Sequence, residues 1–388
     1  MYIARKADQK VIELLKTKKI LLILGARQVG KTTSIKKFLV GKKFTYLNLD
    51  LEADKNKLLA ALALSPAEAY KYFGSPDYLV IDEAQRELKT AKIVKGWYDA
   101  DSDMRIILLG SSSLNLLSQM AESLTGRNEK LFLSPLSFAE IISHQDWWSP
   151  QFSQDVLLNN FKQQINYLLL SSLVFGSYPE AVTTADKERF LLNLVADYLF
   201  KDVLQLGLVK SPELIKRLLL LLAHQVGCEV SINELANSLN LSRQTVERYL
   251  DILEQTFVIF RLRSFSTNPR KEISKSQKIY FYDTGIRNAL LKEFSFSELR
   301  SDIGSVWENW VIAEFMKSNL LNDQKQNLYF WRSRSLSEVD LVIKDGDKLF
   351  AYEIKWKKSG QANRAFADQY KVEVEIINSQ NPLFLMWR

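Results

Sequence analysis

An apolar run that ends in a glycine-framed loop and a lysine constrains this chain more than any other feature. Residues 19–25, Lys-Ile-Leu-Leu-Ile-Leu-Gly, have the unbroken hydrophobicity of a strand buried on both faces. They run into Gly25-Ala26-Arg27-Gln28-Val29-Gly30-Lys31-Thr32, with Thr33 opening a helical pattern that continues to Leu39. In the spacing G-x4-G-K-[ST], glycines let backbone N–H groups close around phosphate oxygens, and the helix adds the positive end of its dipole. Gly25 through Thr33 are therefore the expected contacts to the phosphates of ATP. Lys31 is expected on the β- and γ-phosphates and Thr32 on Mg²⁺.

A second strand, Tyr78-Leu79-Val80-Ile81, ends in Asp82-Glu83. An acid at the tip of a buried strand is costly unless a cation or partner meets it. Asp82 is thus expected in the Mg²⁺ shell and Glu83 as the base that orients the attacking water. The alternative is that they open a helix at Ala84-Gln85. A third strand, Arg105 to Leu109, leads to Gly110-Ser111-Ser112-Ser113, where Ser112 either reads the γ-phosphate or caps a helix. Further strands fit at 43–48 and 129–133, with amphipathic segments between. Alternating strands and helices give a parallel sheet with its ligand at the strands' carboxyl ends, where all these motifs fall.

From Leu136 to about Gly207 the apolar spacing is helical. Ser211-Pro212-Glu213 then starts a helix, and SINELANSLNLSRQTVERYLDILEQ reads as helix, turn at Asn240-Leu241, and a second helix capped by Ser242, with Gln244 to Tyr249 facing outward. FVIFRLRSF would be a wing strand. Such a unit can enter a DNA major groove, with Arg243, Gln244 and Arg248 reading bases and Thr245 on phosphate, or it can serve as a packing block. The run Arg261, Arg263, Arg270, Lys271, Lys275, Lys278 against only Glu272 either follows phosphates or is a solvated surface.

Residues 302–317 are expected to form an amphipathic helix presenting Trp307, Trp310, Val311 and Phe315, followed by strands NLYFWRS, EVDLVIK and KLFAYEIKW. Asp345-Gly346 predicts a hairpin in which Lys344 pairs with Asp347. Asp340 would then face Ala351, diagonal to Glu353, with Lys355 on the same face. Carboxylates beside a lysine suit phosphodiester hydrolysis, Asp340 and Glu353 holding Mg²⁺ and Lys355 steadying water. Ordinary ion pairs on a docking surface are the alternative.

The stretches GARQVGKTT, VIDEAQ, LLGSSS, LTGRNEKLFLSPLSFAEI and GSYPEAV together resemble bacterial and archaeal AAA-like ATPases carrying a DUF4143 C-terminal domain, from about Tyr2 to Trp356. The resemblance implies a γ-phosphate contact for Arg127, in cis or from a neighbouring subunit, with a surface salt bridge as the alternative. It also implies an adenine contact at the Gly176-Ser177-Tyr178-Pro179 turn, centred on Pro179, where a plain interhelical turn is the other reading. The order Glu308, Asp340, Glu353-Ile354-Lys355 further resembles the PD-(D/E)xK nuclease superfamily, with Glu308 as a second metal-site acid and Val339 where that motif has proline. The fold implied is a multidomain α/β chain. A P-loop parallel sheet of the ASCE type would occupy residues 1–135, a helical lid 136–210, a winged helix 211–285, and a restriction-endonuclease-like domain 286–388.

Composition narrows the partners. A formal net charge of +7 favours a polyanion such as DNA or RNA. Cys228 as the only cysteine excludes an internal disulfide, and with only His144 and His224 a Cys/His metal centre is not expected. The N-terminal segment has no apolar signal core and no run of 18 apolar residues occurs, so a cytoplasmic location without membrane contact is expected. ATP hydrolysis driving a nuclease-like output is the first functional expectation. A nucleotide-gated switch or scaffold, as a homo-oligomer or with a protein partner, is the second.

Overall fold

The structure, a computed structural model, describes residues 2–111, 124–196, 211–266, 277–323, 325–333, 337–357, 364–384 and 386. The chain divides into two compact units, residues 1–134 and 135–388.

The first unit opens with helix α1 (Lys6–Leu14) and is built on five strands: β1 (Ile20–Leu24), β2 (Phe44–Asn48), β3 (Tyr78–Asp82), β4 (Arg105–Gly110) and β5 (Asn128–Phe132). They pair in the order β2-β3-β4-β1-β5, all parallel. All five residues of β1 are buried, which is what a central parallel strand covered on both faces demands. Helix α2 (Lys31–Phe38) leaves the carboxyl end of β1 through the glycine-framed loop. Because β4 lies between β1 and β3, the end of β4 falls between the lysine loop and the acidic strand tip.

The second unit carries one seven-stranded sheet. Its strands are β6 (Glu229–Val230), β7 (Ile259–Ser264), β8 (Gln277–Phe281), β9 (Asn327–Arg332), β10 (Glu338–Asp345), β11 (Lys348–Lys355) and β12 (Val374–Asn378), in the order β12-β11-β10-β9-β7-β8-β6. Strand β7 pairs antiparallel with β8 and parallel with β9, so one ladder runs through the boundary expected at residue 285. Helices α5 (Arg243–Gln255), α6 (Thr284–Leu291) and α7 (Ile303–Leu321) pack against this sheet, while α3 (Lys162–Phe175) packs on α6 and α7 and α4 (Ile232–Leu239) packs on α5.

Two expectations change here. The helix over 302–317 is not amphipathic: α7 buries Trp307, Trp310, Val311 and Phe315 and also Asn309, Glu314 and Lys317. Its polar residues are satisfied internally, Asn309 bonding both the N–H and the C=O of Phe281. Periodicity fails because α7 is surrounded on most sides. The hairpin register also differs. Asp345 pairs with Lys348, and the loop is Gly346-Asp347. The loop residue held at φ 58° is Gly346, the first loop position, where one of the favoured two-residue hairpins reserves a glycine. The shift is by two in the partner sum, so faces are conserved. Ala351 therefore faces Val342 rather than Asp340, and the regular ladder ends at the Leu341–Tyr352 pair, next to Asp340 and Glu353.

Candidate functional site

The lysine loop is braced from behind. A Cβ at Gly25 would run into the carbonyl oxygen of Leu133, so only glycine fits there. Arg5, just ahead of α1, donates through Nη1 to the loop carbonyl of Val29 at 2.9 Å and through Nη2 to Ser134 at 2.7 Å. Asp8 of α1 accepts from Ser34 Oγ of α2 at 2.7 Å and from the Tyr2 hydroxyl. Ala26, Val29 and Lys31 are buried, Arg27, Gly30 and Thr32 half-buried, and Gln28 and Thr33 exposed. Lys31 Nζ donates to the carbonyl oxygens of Gly25 and Ala26 at 2.8 Å each.

The acidic strand tip meets this loop. Thr32 Oγ1 donates to Asp82 Oδ2 at 2.6 Å, and the Tyr46 hydroxyl from β2 donates to the same oxygen. Burial, then the bond to Asp82, raises the Tyr46 phenol well above its ordinary range, so it stays a donor. Glu83 sits in the left-handed region at φ 52°, its N–H on Asp82 Oδ1 at 2.9 Å. Gln85 Nε2 and Ser111 Oγ both donate to Glu83 Oε2, and Gln85 Nε2 also reaches Ser111 Oγ at 2.9 Å. Gln85 Oε1 is buried with no hydrogen-bond partner among the described residues. Tyr46, Gln85 and Arg5 were not singled out from the sequence, and within the serine run after β4 it is Ser111 that joins this cluster. Only Gln85, two residues beyond the acid pair, carried a local signal. Ser112 lies outside the described residues.

Arg127 is not brought to this loop within its own chain, which corrects the cis role. Its carbonyl accepts from Ile20 N–H at the start of β1, and its Nε pairs with Asp99 at 2.6 Å. The loop follows the other end of β1, a five-residue strand roughly 16 Å long at about 3.3 Å per residue. Pro179 starts a short helix, Pro179–Thr183, in the second unit. The turn before it is pinned by Asp283, whose Oδ2 accepts from Ser177 N–H at 2.7 Å and Ser177 Oγ at 3.1 Å.

In the helix-turn-helix, Asn240 takes the left-handed conformation that ends α4, and Ser242 Oγ caps α5 by accepting from Thr245 N–H at 3.2 Å. Arg243, Gln244 and Arg248 are exposed, but Val246 and Tyr249 are buried, so the outward face is narrower than expected. The basic run is partly consumed. Arg261 pairs with Asp251 and Glu254, and Lys278 is buried, while Arg270, Lys271 and Lys275 lie outside the described residues.

The C-terminal acids and lysine do assemble. Lys355 Nζ stands 3.7 Å from Asp340 Oδ2 and 3.8 Å from Glu353 Oε2, and Asp340 Oδ2 also accepts from Ile354 N–H at 2.7 Å. Glu308 of α7 is held by the Tyr280 hydroxyl at 2.7 Å and Lys278 Nζ at 3.2 Å, and Lys278 also pairs with Glu338. Burial raises the Glu308 carboxyl, with Lys278 opposing and Asp340 adding to the shift. Burial alone would lower the Lys278 ammonium, but Glu308 and Glu338 outweigh it, and its pKa is raised. Lys278, read from the sequence only as part of a basic run, is instead buried in this cluster, and Tyr280, also from β8, is a further residue the sequence did not single out.

Residues 17–142 match the model of an AAA domain, 166–297 that of a domain of unknown function, DUF8612, and 303–380 that of another, DUF4143. An uncharacterized protein of Mycobacterium tuberculosis is 28% identical over 367 residues, covering 93% of this chain and 76% of that protein. An uncharacterized protein of Methanocaldococcus jannaschii is 29% identical over 345 residues, covering 84% and 72%. Among solved structures, a Walker-type ATPase of Pyrococcus abyssi has a TM-score of 0.51 at 16% identity, covering 75% of this chain and 96% of that one. The AAA-domain match and the likeness in fold agree with the parallel sheet: the chain carries a P-loop ATPase fold. No helix among the described residues is long and apolar enough to cross a membrane.

Proposed function

We propose that the first unit binds Mg·ATP between the lysine loop and the β3 tip and hydrolyses it there. The observation that carries this reading is the contact of Thr32 with Asp82 beside a Glu83 held by Ser111 and Gln85. A hydroxyl from the first turn of α2 beside a carboxylate at the tip of β3 suits a hard cation that keeps several waters, so Thr32 and Asp82 would hold Mg²⁺. Held there, Mg²⁺ would supply positive charge against the phosphates. Lys31 exchanges its two carbonyl bonds for phosphate oxygens, and loop N–H groups from Gly25 to Thr33 complete the cradle. Glu83 accepts the proton of the attacking water, which the unsatisfied Gln85 Oε1 helps to orient. Ser112 and Pro179 are assigned to the γ-phosphate and adenine sides in this reading, and Arg127 would act only from a neighbouring copy.

The test separates binding from turnover. Lys31→Ala should abolish ATP binding, whereas Glu83→Gln should retain it and lose about 10²–10⁴-fold in turnover. A Lys31→Ala protein that hydrolyses ATP like the parent would end the proposal.

For the second unit we read residues 211–285 as a winged helix and 286–388 as a nuclease-like module serving as a nucleotide-gated docking surface rather than a cutter. What favours docking over cleavage is that Lys278 and Lys355 between them pair with all four acids of the cluster. Exposed Arg243, Gln244 and Arg248 suit DNA or RNA as the partner.

A further inference from the structure

We propose that Lys278 is the resident cation of the C-terminal acidic face, and that this face works without a divalent metal. The inference rests on the docking reading of the second unit and deepens it. Four carboxylates come together here from three elements: Glu308 on α7, Glu338 and Asp340 on β10, and Glu353 on β11. Asp340 and Glu353 are buried and Glu308 and Glu338 half-buried, and so many close acids repel one another unless positive charge sits among them. In a metal-dependent phosphodiesterase, that charge is a divalent ion gripping several oxygens at about 2.0–2.2 Å.

The residues present do not fit such an ion. Among the described residues no three Asp, Glu, His or Cys side chains converge closely enough to hold a metal. An ammonium already stands between the acids instead. Lys278 Nζ lies 3.2 Å from Glu308 Oε1, pairs with Glu338, and is only 3% exposed. Glu308 Oε1 is also taken by the Tyr280 hydroxyl at 2.7 Å. The remaining two acids share Lys355, and Asp340 Oδ2 spends a further lone pair on Ile354 N–H. An ammonium offers three donors and one charge where a metal offers two charges and empty coordination positions. It therefore holds the acids in place without activating water.

The test uses the full chain, free of nucleotide, titrated with Mn²⁺ by calorimetry and followed by thermal melting. Whatever Mn²⁺ the first unit takes is common to all variants, so the comparison isolates the second. The parent and Asp340→Asn should give the same isotherm. Lys278→Met should melt lower, gain one Mn²⁺ site and recover its melting temperature with Mn²⁺. The double variant Lys278→Met/Asp340→Asn should lose that site. Lys278→Arg should keep the fold and bind no additional Mn²⁺. If Lys278→Met folds only in the presence of Mn²⁺, the lysine's role as the cation is supported equally. Two results would overturn the proposal: a parent Mn²⁺ site or Mn²⁺-dependent DNA cleavage lost in Asp340→Asn, or a Lys278→Met chain that neither binds nor is rescued by Mn²⁺. ATP turnover of the parent, measured alongside, reports on the first unit by itself.

Discussion

Arg5 illustrates what a single residue contributes when it touches no reacting atom. Its guanidinium fixes the Val29 carbonyl of the lysine loop to Ser134, just past β5, and both contacts are charge-assisted. Removing it leaves those carbonyls without that donor and lets the loop relax. Arg5→Ala should weaken ATP binding about tenfold, or ~1.4 kcal/mol, while kcat at saturating ATP changes little. Arg5→Lys should recover part of the affinity. A nucleotide titration beside kcat and KM decides it, and a kcat loss with unchanged affinity would contradict the positioning role. At this scale the sequence was readable where chemistry and spacing coincide in one short stretch, as at Lys31, Thr32, Asp82 and Glu83. It was silent for Tyr46 and did not separate Ser111 from its neighbours, because their partners are set by the strand order β2-β3-β4-β1, which local patterning does not encode.

Among elements, a densely hydrogen-bonded joint in the second unit lies between the end of α3 and the start of α6. Asn288 donates to the carbonyls of Leu173 and Val174, Thr284 Oγ1 to Ser172, and Asp283 accepts from Ser177. Lys317 of α7 joins them through Ser177 Oγ at 2.8 Å and the Leu136 carbonyl at 3.0 Å. The approach is so close that a Cβ at Gly285 would overlap the Phe175 carbonyl. Gly285→Ala should therefore destabilise the second unit by about 1–3 kcal/mol, the usual cost of overpacking. A urea unfolding curve with an unchanged midpoint would show that the joint has slack. The capped ends of α4 and α5 were legible because Asn240 and Ser242 are local stop and start signals. The joint was not, since Gly176-Ser177 and Asp283-Thr284-Gly285 lie about a hundred residues apart and meet only on folding.

For the molecule as a whole, the parallel sheet of the first unit could be read ahead of the structure, because alternating strand and helix patterns leave few topologies. The single sheet of the second unit could not, because parallel pairing of β7 with β9 joins segments more than sixty residues apart and leaves no mark on local periodicity. Its consequence is measurable. A chain ended at residue 300 would strip β9 from β7 and Asn309 from Phe281, leaving an open edge and an uncovered face. It should aggregate on size exclusion, whereas a monodisperse product with cooperative unfolding would argue that residues 211–285 fold alone. The shared ladder also bears on how such chains recombine. Lys278 belongs to the stretch matched by one family and Glu308 to that matched by another, yet each neutralises the other. A gene fusion spliced between them would strand carboxylates on one side or an ammonium on the other. The two halves of this sheet therefore depend on each other for their charge balance.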